Sequence, residues 1–247
     1  MFHQKVKKMA TLEKTIGEIV ADDFRTAAVF KKYGIDFCCK GNRSIEEACD
    51  VKKINPENIY RDLDNISTNT SQNTDFTSWP LDLLADYVEK VHHRYIEEKT
   101  PALLQFLNKI SKVHGGRHPE LFEIYNLFEE SAKDLAAHLK KEELILFPFI
   151  KKMVNAQREG KALETAHFGT VENPVAMMKH EHSVEGERFE KIAVLTNKYQ
   201  TPEDGCSTYN VAFKMLEEFE NDLHKHIHLE NNILFPKAIE LEKTFRN

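Results

Sequence analysis

Apolar residues recur at intervals of three and four along almost every long segment of the chain, and that spacing predicts helices. No segment alternates convincingly as a strand would, so the predicted fold class is all-α: a small N-terminal helical domain followed by a four-helix bundle. Four long helices are expected at 79–112, 119–153, 174–199 and 207–243. Ser78-Trp79-Pro80, His118-Pro119, Asn173-Pro174 and the Ser207-Thr208 pair mark their starts as caps or first-turn residues. Pro101 falls inside the first of them and is expected to bend or interrupt it. Upstream, Thr15-x-x-Glu18 and Ser44-x-x-Glu47 fit capping boxes, and Asn55-Pro56 puts proline at a first helical position, so three short helices are expected there. Gly34 suits the C-terminus of the first, which makes 34–43 a turn presenting Cys38 and Cys39. The run NISTNTSQNTDFTS, residues 65–78, is polar and almost free of large aliphatics, the composition of a flexible connection. The expected organisation is thus a cysteine-pair domain at 1–64, a linker at 65–78 and the bundle at 79–247, the bundle able to fold alone.

Two segments of the bundle repeat one another at a constant offset of 88: DLAAHLKKEELILFPFI from residue 134 and DLHKHIHLENNILFPKA from residue 222. Each carries His-x-x-x-Glu, as His138/Glu142 and His226/Glu230. Residues four apart on a helix stand one turn apart on one face, roughly 5 to 6 Å between side-chain bases, so a single metal ion can reach both. Both pairs lie on the apolar stripe of their helix: stepping back from His138 meets Leu135, Ser131 and Phe128, and from His226 meets Leu223, Phe219 and Leu216. The other two helices each place a histidine on a similar stripe, His92 with Val88 and Tyr95, and His182 with Met178 and Phe189. Burying an uncompensated polar group costs roughly 2 to 7 kcal/mol, so six of them would exceed a typical net stability of about 5 to 15 kcal/mol. Metal binding compensates them. Four histidines and two glutamates are harder than a structural zinc set and more numerous than one zinc requires, which suits two non-haem iron ions bridged by carboxylates; spacing alone leaves manganese open. The expected ligands are His92, His138, Glu142, His182, His226 and Glu230.

The remaining histidines divide by position. His93, His180, His224 and His228 lie 100 to 200 degrees off the ligand stripe on a regular helix and read as surface residues. His114 reads equally as a helix-end cation. Asp134 and Glu181 read first as a solvated face and second as an acidic route to the centre. Leu-Phe-Pro at 146–148 and 234–236 reads as core with a kink, and Cys49 and Cys206 as incidental.

Composition narrows the function classes. A formal charge of −6 with acids and bases interleaved offers no basic stripe for nucleic acid. Nothing approaches the roughly 18 to 20 apolar residues of a membrane span, and the start MFHQKVKKM lacks a signal peptide's apolar region, so a cytoplasmic location is expected. Four cysteines in 247 residues make no secreted disulfide framework. Adjacent Cys38 and Cys39 in a Gly-flanked turn suit a working thiol pair, with Lys31, Lys32 and Lys40 expected to favour thiolate.

The bundle resembles hemerythrin, except that Met178 and Gly186 stand where hemerythrin has a second histidine on its third helix. That missing nitrogen implies open coordination positions and reactivity rather than reversible oxygen carriage. TIGEIVADDFRTAAVFKKYGIDFCCKG resembles the cysteine-pair domain of the iron-sulfur cluster repair family of YtfE and ScdA type. The HxR of His92 to Arg94, HLKKEE, HEH and HIHLENNILFP follow in that family's order. The resemblance implies a di-iron protein restoring clusters damaged by nitric oxide or peroxide. Damaged iron-sulfur proteins are then its partners, and nitric oxide or oxygen its small ligands. Iron donation and nitric oxide reduction both remain open, and Cys38 and Cys39 are expected to carry electrons or departing iron, or to pair with a second subunit of a homodimer. The resemblance also matches His114 to a histidine near the family's site. The competing class is a sensor of oxygen, nitric oxide or iron without turnover; no output segment accompanies the bundle to support it.

Overall fold

The computed structural model describes residues 14–67 and 74–245; residues 68–73 of the polar run lie outside them. The described residues are helical nearly throughout, with no strand among them beyond an isolated bridge between Ala166 and Gly169. They fall into two compact units, the described part of Met1–Pro80 with Ile227–Lys237, and Leu81–His226 with the described part of Ala238–Asn247.

In the first unit α1 (Ile16–Asp22) and α3 (Ile45–Lys52) begin with full capping boxes, from Thr15 with Glu18 and Ser44 with Glu47. Where one helix was expected, two form, α1 and α2 (Ala27–Lys32). The break is at Asp23, whose backbone is extended and whose carboxylate accepts the Arg25 N–H at 3.1 Å, capping the turn that follows instead of continuing the helix. Pro56 opens α4 (Pro56–Ser67), where Asn55 Oδ1 accepts the Glu57 N–H at 3.0 Å. Ile16, Val20, Phe30, Ile45 and Ile59 form the unit's core. Lys32 Nζ (2.7 Å) and the Tyr33 hydroxyl (2.9 Å) both donate to Asp62, tying the end of α2 to α4.

Four long helices follow α4 along the chain. The first is α5 (Leu81–Tyr87), a π turn at Val88–His93 and α6 (Arg94–His114). The second is α7 (Glu120–Lys141), a π turn at Glu142–Leu146 and α8 (Phe147–Glu159). The third is α9 (Glu172–Leu195); the fourth is α10 (Ser207–Leu229), a π turn at Glu230–Leu234 and α11 (Phe235–Lys243). α6 packs on α7, α5 on α8, and α9 on α7. Phe128, Phe189 and Phe219, fully buried, meet with ring centroids 5.2 to 6.4 Å apart. α9 ends before 199 because Asn197, Lys198 and Tyr199 turn through positive φ of 48°, 56° and 62°. α6 continues through Pro101; the irregular turn of that helix lies at Val88–His93 instead.

The π turns have a local cause in the repeat. Proline 148 and proline 236 have no N–H, and a proline ring crowds the carbonyl four residues back. The turn ahead of each widens, so that the Phe147 N–H donates to Glu142 and the Phe235 N–H to Glu230, five residues back rather than four. Ile-Leu-Phe-Pro therefore does more than kink its helix: it opens the turn that begins at each glutamate.

Candidate metal centre

The widened turns bring together two overlapping groups of buried donors. His93, Glu142, His226 and Glu230 form one, and His138, Glu142, His182 and Glu230 the other, with the potential ligand atoms of each within 4.8 Å of one another. Glu142 and Glu230 belong to both and are fully buried. Nε2 atoms of His93 and of His138 each lie 3.4 Å from the same Glu142 oxygen, and the Nε2 atoms of His138 and His182 are 3.1 Å apart.

Of the six residues expected from sequence, His138, Glu142, His182, His226 and Glu230 converge. His92 is not in either group; His93 occupies the place expected for it. A π turn holds an extra residue, so the inward position after Val88 comes five residues on instead of four. His93 is thus fully buried, against the surface position a regular helix predicts. His92 is buried too, but its Nδ1 lies 2.9 Å from Asp222 and its ring stacks on His226 at 5.9 Å and 8°. His228 is also not a surface residue: burial pushes it down to about 3, so its imidazole is neutral, held by Asn232 at 3.0 Å between Phe24 and Phe37. His180 is exposed, as expected, and His224 is half-buried.

Carboxylates from beyond the groups orient two of the histidines. Glu143 lies 3.1 Å from His93 Nδ1, and Glu181 lies 2.8 Å from His138 Nδ1. Such pairing fixes the tautomer and turns Nε2 toward a metal. The hydrogen bond to His138 draws Glu181 down to about 2 against the opposing effect of burial, with Lys141 helping. Burial acts to raise Glu143, but hydrogen bonds from Lys140 and His93 hold its carboxyl below the ordinary value. Glu181 is half-buried and engaged by His138 and Lys141, whereas Asp134 stands on an exposed face, as expected, paired with Arg188 at 2.7 Å. Nothing in the sequence near His93 or His138 marks either carboxylate as a positioning partner except Glu143's place beside Glu142.

The donor chemistry fits metal binding. Four imidazoles and two carboxylates crowd an interior that excludes water, where negative charge needs a cation close by. Nitrogen and carboxylate donors with two shared carboxylates suit first-row ions of intermediate hardness.

In the first unit Asp36, Cys38 and Cys39 also cluster within 4.8 Å. Asp36 Oδ1 accepts the Cys38 and Cys39 N–H groups at 3.0 and 2.9 Å, and the two sulfurs are 3.8 Å apart, not bonded. The lysine-stabilised thiolate expected at Cys38 does not arise. Its hydrogen bond to Cys39, its burial and the Asp36 carboxylate push this thiol well above its usual range. Within the same unit Asn231 and Asn232 donate to the carbonyls of Cys38 and Phe37, both at 3.2 Å, holding the turn from outside its own sequence.

Residues 85–238 match the hemerythrin HHE cation binding domain, and residues 12–67 match ScdA_N, a domain described as of unknown function. The chain is 30% identical over 229 residues to the iron-sulfur cluster repair protein ScdA of Staphylococcus haemolyticus, covering 93% of this chain and 99% of the relative. It is 30% identical over 235 residues to the iron-sulfur cluster repair protein YtfE of Pectobacterium atrosepticum, covering 95% and 100%. A YtfE protein of Escherichia coli matches at 30% over 231 residues, 94% of this chain and 99% of the relative. No helix among the described residues is long and apolar enough to cross a membrane.

Proposed function

Because the chain belongs to the family of iron-sulfur cluster repair proteins that includes ScdA and YtfE, we propose that it restores iron-sulfur clusters damaged by nitrosative or oxidative stress. Two iron ions held in the bundle would serve this work. The observation that carries the reading is the pair of four-residue groups sharing Glu142 and Glu230. When bound there, iron supplies redox chemistry toward nitric oxide or a transferable ion for a damaged cluster. The chain's own part is to hold it: His93 and His226 on one side, His138 and His182 on the other, and the two glutamates between. His93 takes the role that the helical period assigned to His92. Glu143 and Glu181 aim two of the imidazoles, and the apolar helix faces exclude water.

Damaged iron-sulfur proteins are the partners this function requires, and a cytoplasmic setting is proposed with it. In this reading the cysteine pair serves the client or a second subunit as thiols, since Cys38 is held protonated.

The test is reactivation of a nitric-oxide-damaged [4Fe–4S] hydratase by protein loaded anaerobically with Fe(II), with iron counted per chain. Restored hydratase activity with iron-loaded protein, and little with Glu142→Ala or Glu230→Ala, is the expected result. Equal restoration by a metal-free preparation would refute the role of the centre.

A further inference from the structure

A second constellation of titratable side chains lies at the start of α10. Cys206 directly precedes Ser207, and its carbonyl accepts the Asn210 N–H at 3.1 Å, the position of an N-cap. Its Sγ takes hydrogen bonds from the backbone N–H groups of Thr208 and Tyr209, first-turn donors with no partner inside the helix. The same sulfur lies 3.2 Å from Nε2 of His114, at the end of α6. His114 is only 7% exposed, and its Nδ1 has no hydrogen-bond partner among the described residues, so the ring's polar contact is the one aimed at sulfur. Cys206 itself is exposed.

The neighbouring charges are already engaged. His118 is held by Asp204 at 2.9 Å and Glu120 at 3.1 Å, and Arg117 pairs with Asp204 at 3.0 Å. Tyr209 packs edge-on against both His114 and His118, with centroids 5.4 and 5.8 Å away. The groups acting on sulfur are thus an imidazole and two helix-end N–H donors, all of which favour its anion. His114 draws the thiol down to about 7, with the Tyr209 and Thr208 N–H groups adding to it against burial. Cys49, by contrast, is buried and pushed up, as Cys38 is.

We propose that Cys206 is a thiol–disulfide exchange site, where its sulfur attacks a low-molecular-weight disulfide and keeps half of it as a mixed disulfide. The Cys206 thiolate bonds to one sulfur of RSSR, the S–S bond breaks, and RS⁻ leaves to take a proton from water. Cys206 is oxidised and the departing sulfur reduced, so no further oxidant enters. A thiol with pKa near the ambient pH is the best attacker in such exchange, because it is both ionised and nucleophilic. Nothing about a lone surface cysteine would single it out; the buried imidazole and the helix end do.

The probe is oxidised glutathione, added to the full-length protein from about pH 5.5 to 9.5, with peptide-resolved mass spectrometry reading each cysteine. Cys206 is expected to be modified ahead of Cys38 and Cys49, with a rate midpoint near pH 7. Cys206→Ser should abolish that product. His114→Gln should move the midpoint toward the ordinary thiol value of about 8.5. At pH 7 its thiolate fraction would fall from about one half to a few per cent; higher intrinsic nucleophilicity offsets part of this, leaving a rate loss of about threefold. If His114→Gln does not fold, the parent profile decides alone. A midpoint near 8.5 in the parent, or modification elsewhere with Cys206 untouched, overturns the assignment.

Discussion

Replacing the adjacent histidines one at a time separates what the two positions do. His93 stands in a four-residue group with Glu142, His226 and Glu230, its Nε2 3.4 Å from Glu142. His93→Ala leaves that group one nitrogen and two shared carboxylates, while the His138–His182 group keeps its full set. If the parent, as proposed, takes up about two iron ions per chain, the expected content of this variant is about one, the second ion lost on gel filtration. His92 touches the centre only through its neighbours, by its 2.9 Å contact with Asp222 and its stack on His226. His92→Ala removes a support of His226 and opens a gap beside it. Outer partners of metal-bound histidine are worth roughly 10- to 100-fold in affinity, or about 1.4 to 2.7 kcal/mol. This variant should retain both ions after loading but yield one of them to a competing chelator at roughly 10- to 100-fold lower concentration. The assay is anaerobic Fe(II) loading, desalting, colorimetric iron per chain, then chelator titration. Loss of one iron from His92→Ala with full retention by His93→Ala would refute the π-turn placement and restore the regular helical period.

Other perturbations follow from contacts elsewhere. Asp62 is held below its ordinary pKa by hydrogen bonds from Lys32 and Tyr33. A depressed folded-state pKa stabilises above the unfolded value of about 3.9 and is lost as pH falls through the folded one, so thermal stability should decline below about pH 4. Asp62→Asn should flatten that part of the pH–Tm curve; an unchanged curve would show the pair contributes nothing. Phe128→Ala empties a site fully buried against Phe189 and Phe219 and should cost about 3 to 5 kcal/mol in denaturant unfolding, a loss below 1 contradicting the packing. The double variant Cys38→Ser, Cys39→Ser should keep its iron yet lose most cluster-restoring activity; repair at the parent rate would reduce the pair to packing, and loss of iron would make the thiols part of the centre.

Much of the buried His/Glu cluster was legible because its positions repeat. His-x-x-x-Glu on an apolar stripe, twice at one offset, is a pattern that the helical period alone explains, and all four residues meet. His182 was legible for the same reason. His93 was not, because counting 100 degrees per residue presumes a regular ladder, and the turn at Val88–His93 is not regular. Glu181 reaches His138 from another helix, and His114 reaches Cys206 across 92 positions of sequence; such partners are set by packing, which no local pattern reports. Asp23 shows the remaining kind of miss, a side chain whose competition with the helix depends on the turn after it.

A π turn is an α-helical turn with one residue added, and the helices on either side are otherwise continuous. Three such turns lie among the described residues, each at a residue of the clustered His/Glu groups. Deleting one residue from any of them would let the hydrogen bonds close in the ordinary way and keep the helix beyond in phase, whereas the same deletion in a regular stretch would rotate everything beyond by about 100 degrees. The extra residue at these places is thus taken up locally, and the side chains beyond it keep their faces. For related sequences, a one-residue gap falling between Val88 and His92 would put the histidine equivalent to His93 four residues after Val88, inward on a regular helix without the widened turn.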